Sequence, residues 1–110
     1  MAIDPPLAGL ELTTLLAVVR LGDTAYGAEI RRAVSDAVGH PYSVGAIYTT
    51  LQRLAEKGLL KSWASEPRAE RGGRSRRYFA ATSRGLAAGR AARSHYEQMW
   101  KGLTLSPRST

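Results

Sequence analysis

Leucine and valine fall at helical spacing in the first third of the chain. Leu12, Leu15, Leu16 and Val19 recur at i, i+3, i+4 and i+7, one stripe that predicts a helix over 7–21. Pro5-Pro6 gives it a stiff lead and Gly22-Asp23 ends it. A second stripe, Tyr26, Ile30, Ala33, Val34 and Ala37, predicts a second helix with Glu29, Arg31, Arg32 and Asp36 outward. Thr24 is its expected N-cap, and Gly39-His40-Pro41 breaks it. Ser43 then caps a third helix over 43–57, where its hydroxyl can accept an orphan backbone N–H. Val44, Ile47, Leu51 and Leu54 share one face of that helix. Gly45, Thr49, Gln52, Arg53 and Glu56 lie opposite, with Tyr48 on the flank. Gly58 ends it.

The period then changes from helical to two. Leu59 to Glu66 reads as a strand, Pro67 to Gly73 as its turn and Ser75 to Thr82 as the returning strand. Alternation puts Arg77, Phe79 and Ala81 on one face and Arg76, Tyr78 and Ala80 on the other, with Phe79 and Ala81 inward. Thr82 or Ser83 caps a long last helix over 84–103, in which Ala88, Ala92, Tyr96, Met99, Trp100 and Leu103 recur near helical spacing. The fold class is therefore mainly α with a small β-hairpin, in the order α1-α2-α3-β-β-α4. A thin polar helix followed by a basic hairpin is the layout of a winged helix-turn-helix. The division expected is a winged domain over 7–82, a terminal dimerisation helix over 83–103 and a flexible tail over 104–110.

Composition narrows the reading. At 110 residues and 44% hydrophobic, the chain supports one domain with a modest core. Its net charge of +7 is concentrated: residues 67–93 hold eight arginines against Glu70 alone, and the other charges cancel at eight of each sign. A focused basic patch is the electrostatic footprint of a polyanion binder. Zero Cys excludes disulfides and thiolate metal sites. No apolar run reaches membrane-spanning length, and the N-terminus lacks a secretory pattern. The expected location is cytoplasmic, with no membrane partner.

A helix that enters the major groove must be slim on one side and carry donors and acceptors there. Gly45, Thr49 and Gln52 are the candidate base readers. Ser43, Tyr48, Arg53, Arg71, Arg74, Arg76 and Arg77 are the candidates for phosphate or minor-groove contact; the last four surround the Gly72-Gly73 tip of a basic wing spanning 67–77. The terminal helix carries more large apolar side chains than a small body can cover. Leu12, Leu16, Leu86, Ala92, Tyr96, Met99, Trp100 and Leu103 are accordingly the expected homodimer interface, matching a palindromic site on double-stranded DNA. Tyr96, Met99 and Trp100 are the candidates for a pocket that takes a small aromatic or hydrophobic effector.

Catalysis finds little to stand on. His40 sits beside a proline, His95 stands alone, and no His–carboxylate pair has metal-ligand spacing. There is no Gly-x-Ser-x-Gly elbow, and Gly72-Gly73 does not lead from a strand into a helix. No enzyme activity, metal or cofactor is expected. A winged module that binds structured RNA or a protein partner through the same basic wing is the alternative.

The linked segments Tyr26-Gly-Ala-Glu-Ile30, Ser43-Val-Gly-Ala-Ile-Tyr48-Thr-Thr-Leu51-Gln-Arg53-Leu54, Glu56-Lys-Gly58-Leu59, Gly73-Arg74-Ser-Arg76-Arg-Tyr78-Phe79 and Thr82-x-x-Gly85 resemble the PadR family of transcriptional regulators over residues 9 to 90. The resemblance implies a bacterial or archaeal winged-helix dimer, usually a repressor, and its short form, in which one terminal helix makes the dimer. It also implies a place for Trp100 near the dimer centre, beside a flat aromatic ligand. The chain departs from the family pattern at Val44 and Thr49, where proline is usual. It departs again at Ala81, where a large aliphatic is favoured, and at Ser83 and Arg84, where acids are.

Overall fold

The structure is a computed structural model that describes residues 5–65 and 76–107. Its order is α1 (Gly9–Leu21), a single 3₁₀ turn (Gly22–Thr24), α2 (Gly27–Val38), α3 (Val44–Glu56), β1 (Leu60–Ala64), β2 (Arg77–Ala81) and α4 (Ser83–Trp100). The two strands pair antiparallel, from Leu60 opposite Ala81 to Ala64 opposite Arg77. They are shorter than the pattern predicts, and the expected turn at Pro67–Gly73 lies outside the described residues.

α1 is the hub, packed against α2, α3, β2 and α4. Leu15 and Val18 of α1, Ile30 and Val34 of α2, Ile47, Leu51 and Leu54 of α3, and Leu59, Leu60 and Phe79 of the hairpin form one core. The α1 stripe is rotated from the predicted one. Leu15 is buried, but Thr14, Ala17 and Val18 complete the inner face, while Leu16 and Val19 stay about half exposed. α1 is apolar nearly all round, so its periodicity contains two overlapping stripes. The small side chains of Thr14 and Ala17 take the inner one, where helices meet closely.

Several ends follow local chemistry. Ser43 caps α3 as expected, its Oγ accepting from the Ala46 N–H at 3.1 Å. α3 ends in a Schellman turn. Leu59 N–H donates to the Leu54 carbonyl, Gly58 N–H to the Ala55 carbonyl, and Gly58 adopts φ +77°, which favours glycine. Thr82 caps α4 by accepting from Gly85 N–H, and its own hydroxyl donates to the Gly58 carbonyl at 2.6 Å, joining two element ends. α2 departs from expectation. Thr24 is not its N-cap but closes the 3₁₀ turn, donating to the Leu21 carbonyl; Tyr26 holds the N-cap position in extended conformation. The reason is tertiary: residues 25–26 pair with β2, through a bridge from Tyr26 to Tyr78 and a bond from Phe79 N–H to the Ala25 carbonyl.

Val44, predicted inward, is 56% exposed. It is the first residue of α3, and side chains lean toward a helix N-terminus, so Val44 overshoots the core. Thr50 fills the inner face instead, its hydroxyl donating to the Ala46 carbonyl at 2.9 Å.

α4 runs from Ser83 rather than Arg84 and ends at Trp100, three residues before Leu103. Its inner stripe is small: Gly85, Ala88, Gly89 and Ala92. A Cβ at Gly85 would overlap the Leu59 carbonyl oxygen, so only glycine permits this crossing. From Arg93 to Pro107 every residue is exposed. That projection stretches the molecule to 65 × 37 × 21 Å, with a radius of gyration of 16.7 Å, against about 13 Å for a compact chain of this length.

Candidate nucleic-acid interface

α2 and α3, joined by residues 39–43, form the helix-turn-helix. Its turn is held by Gly39 N–H donating to the Ser35 carbonyl and Tyr42 N–H donating to Ser35 Oγ. With Ile47, Thr50, Leu51 and Leu54 turned inward, α3 presents Gly45, Thr49, Gln52 and Arg53 to solvent. Nothing lies within 4 Å of where a Gly45 side chain would start, so this end of the helix is thin and open. Ser43 Oγ accepts at the cap, which leaves its O–H able to donate outward.

Tyr48 leans toward α2. Its ring and hydroxyl lie over Gly27, at a distance that leaves no room for a side chain there. Beyond it is the base of the wing. Arg77 donates to Ser62 Oγ at 3.0 Å, and the Arg76 guanidinium sits 4.3 Å from the centre of the Tyr26 ring. Neither arginine has a carboxylate within ion-pair distance among the described residues. Tyr26, Gly27, Ala28, Tyr48, Arg76 and Arg77 enclose a cleft of about 380 Å³. The first turn of α2, whose amide N–H groups have no intrahelical acceptor, forms one wall. The structure thus gathers Tyr48, Arg76 and Arg77 into one place. Gly45, Thr49, Gln52 and Arg53 lie along the neighbouring outer face of α3. Arg71 and Arg74 lie outside the described residues.

The apolar candidates divide differently. Leu16 and Leu86 are about half exposed and, with Leu12, Leu15, Val19, Gly85, Gly89, Arg90 and Arg93, line a groove of about 390 Å³ between α1 and α4. Tyr96, Met99, Trp100 and Leu103 are exposed on the projecting end of α4 and just past it. Met99, Trp100 and Leu103 meet Leu105 around a shallow hollow of about 190 Å³, with Tyr96 one turn earlier. Ala92 is a correction: it is fully buried inside the monomer, in the core, and offers no surface to another chain. A pattern of hydrophobicity groups Ala92 with Tyr96 and Met99, whereas packing puts it with Gly85 and Ala88, where α4 crosses α1.

A family model described as the transcriptional regulator PadR-like family matches residues 15–91. The chain belongs to the PadR-like family. Members of this family regulate transcription and are not enzymes, so the protein is a PadR-like transcriptional regulator with a DNA-binding fold. A PadR family transcriptional regulator from Eggerthella lenta is 27% identical, with 84% of this chain and 82% of that one covered at a TM-score of 0.64. A PadR-like transcription factor from Bacteroides fragilis is 22% identical, with 82% of each chain covered and a TM-score of 0.69. A transcriptional regulator from Clostridium thermocellum is 21% identical, covering 84% and 86% at a TM-score of 0.65. These likenesses establish the winged-helix arrangement. No curated protein sequence matches the chain. No helix among the described residues is long and apolar enough to cross a membrane.

The sequence reading missed the aromatic packing behind this interface. Trp63, 46% exposed, stacks on Tyr78, and Tyr78 meets Tyr26 edge-on. Strand alternation carried a signal for Tyr78, already placed on the face of Arg76. Nothing local to Tyr26 reveals that it leaves its helix to join the sheet.

Proposed function

We propose that this PadR-like protein is a homodimeric repressor that binds a palindromic operator in double-stranded DNA. α3 enters the major groove, where Gly45, Thr49 and Gln52 read base edges. Ser43, Tyr48, Arg53, Arg71, Arg74, Arg76 and Arg77 hold phosphates or the minor groove. The observation that carries the reading is the juxtaposition of Tyr48 on α3 with Arg76 and Arg77 at the wing, around one cleft where neither arginine has a carboxylate partner among the described residues. Phosphate contacts set register and affinity, base contacts set sequence preference, and the two sets sit on adjacent elements here.

Dimerisation is supported by the large apolar side chains that the described residues leave uncovered, Leu16 and Leu86 along the α1–α4 groove, which the half-buried Leu12 also lines, and Tyr96, Met99, Trp100 and Leu103 beyond it. The working division is a winged domain over 7–82, a dimerisation helix over 83–103 and a tail over 104–110, acting in the cytoplasm of a prokaryote. Tyr96, Met99 and Trp100 would, once paired with a second copy, enclose a small aromatic or hydrophobic effector. Quenching of Trp100 emission by such compounds in a Trp63→Phe background, together with loss of DNA affinity, tests that pocket.

The experiment for the main reading is fluorescence anisotropy on DNA upstream of the protein's own gene, against a scrambled duplex and an RNA hairpin, across a salt series. The expected result is dyad-dependent binding with a steep salt slope. Arg74→Ala should weaken all duplexes alike, and Thr49→Ala should alter sequence preference. Equal, weak binding to all three nucleic acids would overturn the operator reading in favour of an RNA- or protein-binding module.

A further inference from the structure

Arg76 is held more firmly than a surface arginine needs to be. Its backbone N–H donates to Ser65 Oγ at 2.9 Å, and its carbonyl accepts from Ser65 N–H at 2.7 Å. Its guanidinium lies over the Tyr26 ring, 4.3 Å from the centre. Tyr26 is fixed in turn: its ring packs edge-on against Tyr78 at 5.6 Å, and Tyr78 stacks on Trp63 at 6.1 Å with planes 17° apart. The residue that carries the arginine therefore belongs to the start of the helix-turn-helix, while the arginine belongs to the wing.

Two physical points turn this packing into a function. An arginine side chain gives up rotamer entropy when it is immobilised, a cost already met if a ring holds it beforehand. A ring face engages the flat of the guanidinium and leaves the in-plane N–H groups free to donate. Contact with the face of the Tyr26 ring and a grip on a phosphate are thus compatible. The cleft that Arg76 lines also holds Arg77 and the Tyr48 side chain, with volume enough for a phosphate.

We propose that Tyr26 is a positioning residue: it preorganises Arg76 so that Arg76, Arg77 and Tyr48 receive one backbone phosphate of duplex DNA in the cleft between α2 and the wing. This rests on the DNA-binding reading above. It adds a residue outside both the reading helix and the arginine hairpin, and it couples the position of the wing to that of α3.

The test is a double-mutant cycle read by anisotropy across a salt series. Tyr26→Phe keeps the ring face and should bind as the parent does. Tyr26→Leu should bind about fivefold more weakly on every duplex, with sequence preference unchanged. In an Arg76→Ala background the same change should cost less than twofold. An equal loss in both backgrounds, or a loss in Tyr26→Phe as large as in Tyr26→Leu, overturns the proposal. A second readout needs no DNA. In the free protein the Arg76 side-chain Hε resonance should be shifted upfield by the Tyr26 ring, retained in Tyr26→Phe and lost in Tyr26→Leu. Absence of that shift in the parent overturns the positioning role. A normal shift in a protein that binds no duplex overturns the DNA reading instead.

Discussion

α3 and the projecting end of α4 carry apolar side chains at the same helical spacing, yet they end in opposite environments. In α3, Ile47, Leu51 and Leu54 are fully buried beneath α1, α2 and β1. In α4, Tyr96, Met99 and Trp100 are 37%, 63% and 56% exposed. Periodicity specifies which side chains share a face. Whether that face is covered depends on a complementary surface, which among the described residues is supplied to α3 and to the first half of α4 only. The surplus on α4 is the surface that the proposed dimer would cover.

The sharpest way to break this comparison is to truncate both stripes. Leu51→Ala should cost about 3 kcal/mol or more, through lost burial and the cavity left behind, at every protein concentration in urea unfolding. Met99→Ala with Trp100→Ala should leave dilute monomer stability within about 0.5 kcal/mol of the parent. The same double variant should abolish the concentration dependence of the melting temperature expected of a dimer. Equal costs for the two stripes in dilute solution would mean that the α4 tip is packed after all.

Gly85→Ala examines the covered first half of α4. A methyl group there meets the Leu59 carbonyl oxygen, which is backbone and cannot swing aside. The expected loss is about 2–3 kcal/mol, seen as a melting temperature lower by roughly 10 °C. Gly89→Ala, whose added methyl would contact Leu15 at an ordinary 3.6 Å, should be tolerated or stabilising. Caps come next: Ser43→Ala and Thr82→Ala each remove an acceptor for an orphan N–H and should each cost about 1 kcal/mol. Thr82→Ala should cost more, because the Gly58 carbonyl loses its donor too.

One effect is expected to be a gain. Thr14 is fully buried, and its hydroxyl is without a hydrogen-bond partner among the described residues. Thr14→Val keeps the shape and removes the unsatisfied group, so it should stabilise by about 1 kcal/mol in the same urea experiment. A loss would show that the hydroxyl has a partner in solution.

The local order of the molecule was legible because it depends on neighbours in the chain. Ser43 was recognisable as a cap, Thr82 as one of two candidates for the next, Gly58 as a helix end, and Phe79 as an inward residue of its strand. The outer face of α3 followed from the helical period, and with it Gly45, Thr49 and Gln52. The clustering of arginine was visible in the order of residues alone, since formal charge does not depend on folding. Errors arose where two distant segments meet. Thr24 has the chemistry of an N-cap, but the chain after it is drawn into pairing with β2, so the cap position falls on Tyr26. Ala92 scores as apolar like Tyr96, but only packing distinguishes a small residue at a helix crossing from a large one with nothing above it.

The sequence by itself determined the element types, most of the core, the polar face of α3 and the basic character of the wing. Each is decided by periodicity, side-chain size and charge over a few neighbouring residues. The tertiary structure alone decided which α1 stripe is buried, how closely α4 crosses Leu59, and that Tyr26 lies beneath Arg76. It also decided that Tyr48, Arg76 and Arg77 face a common cleft. Those relations join residues far apart in the chain, and their geometry is fixed by mutual packing that no local pattern encodes.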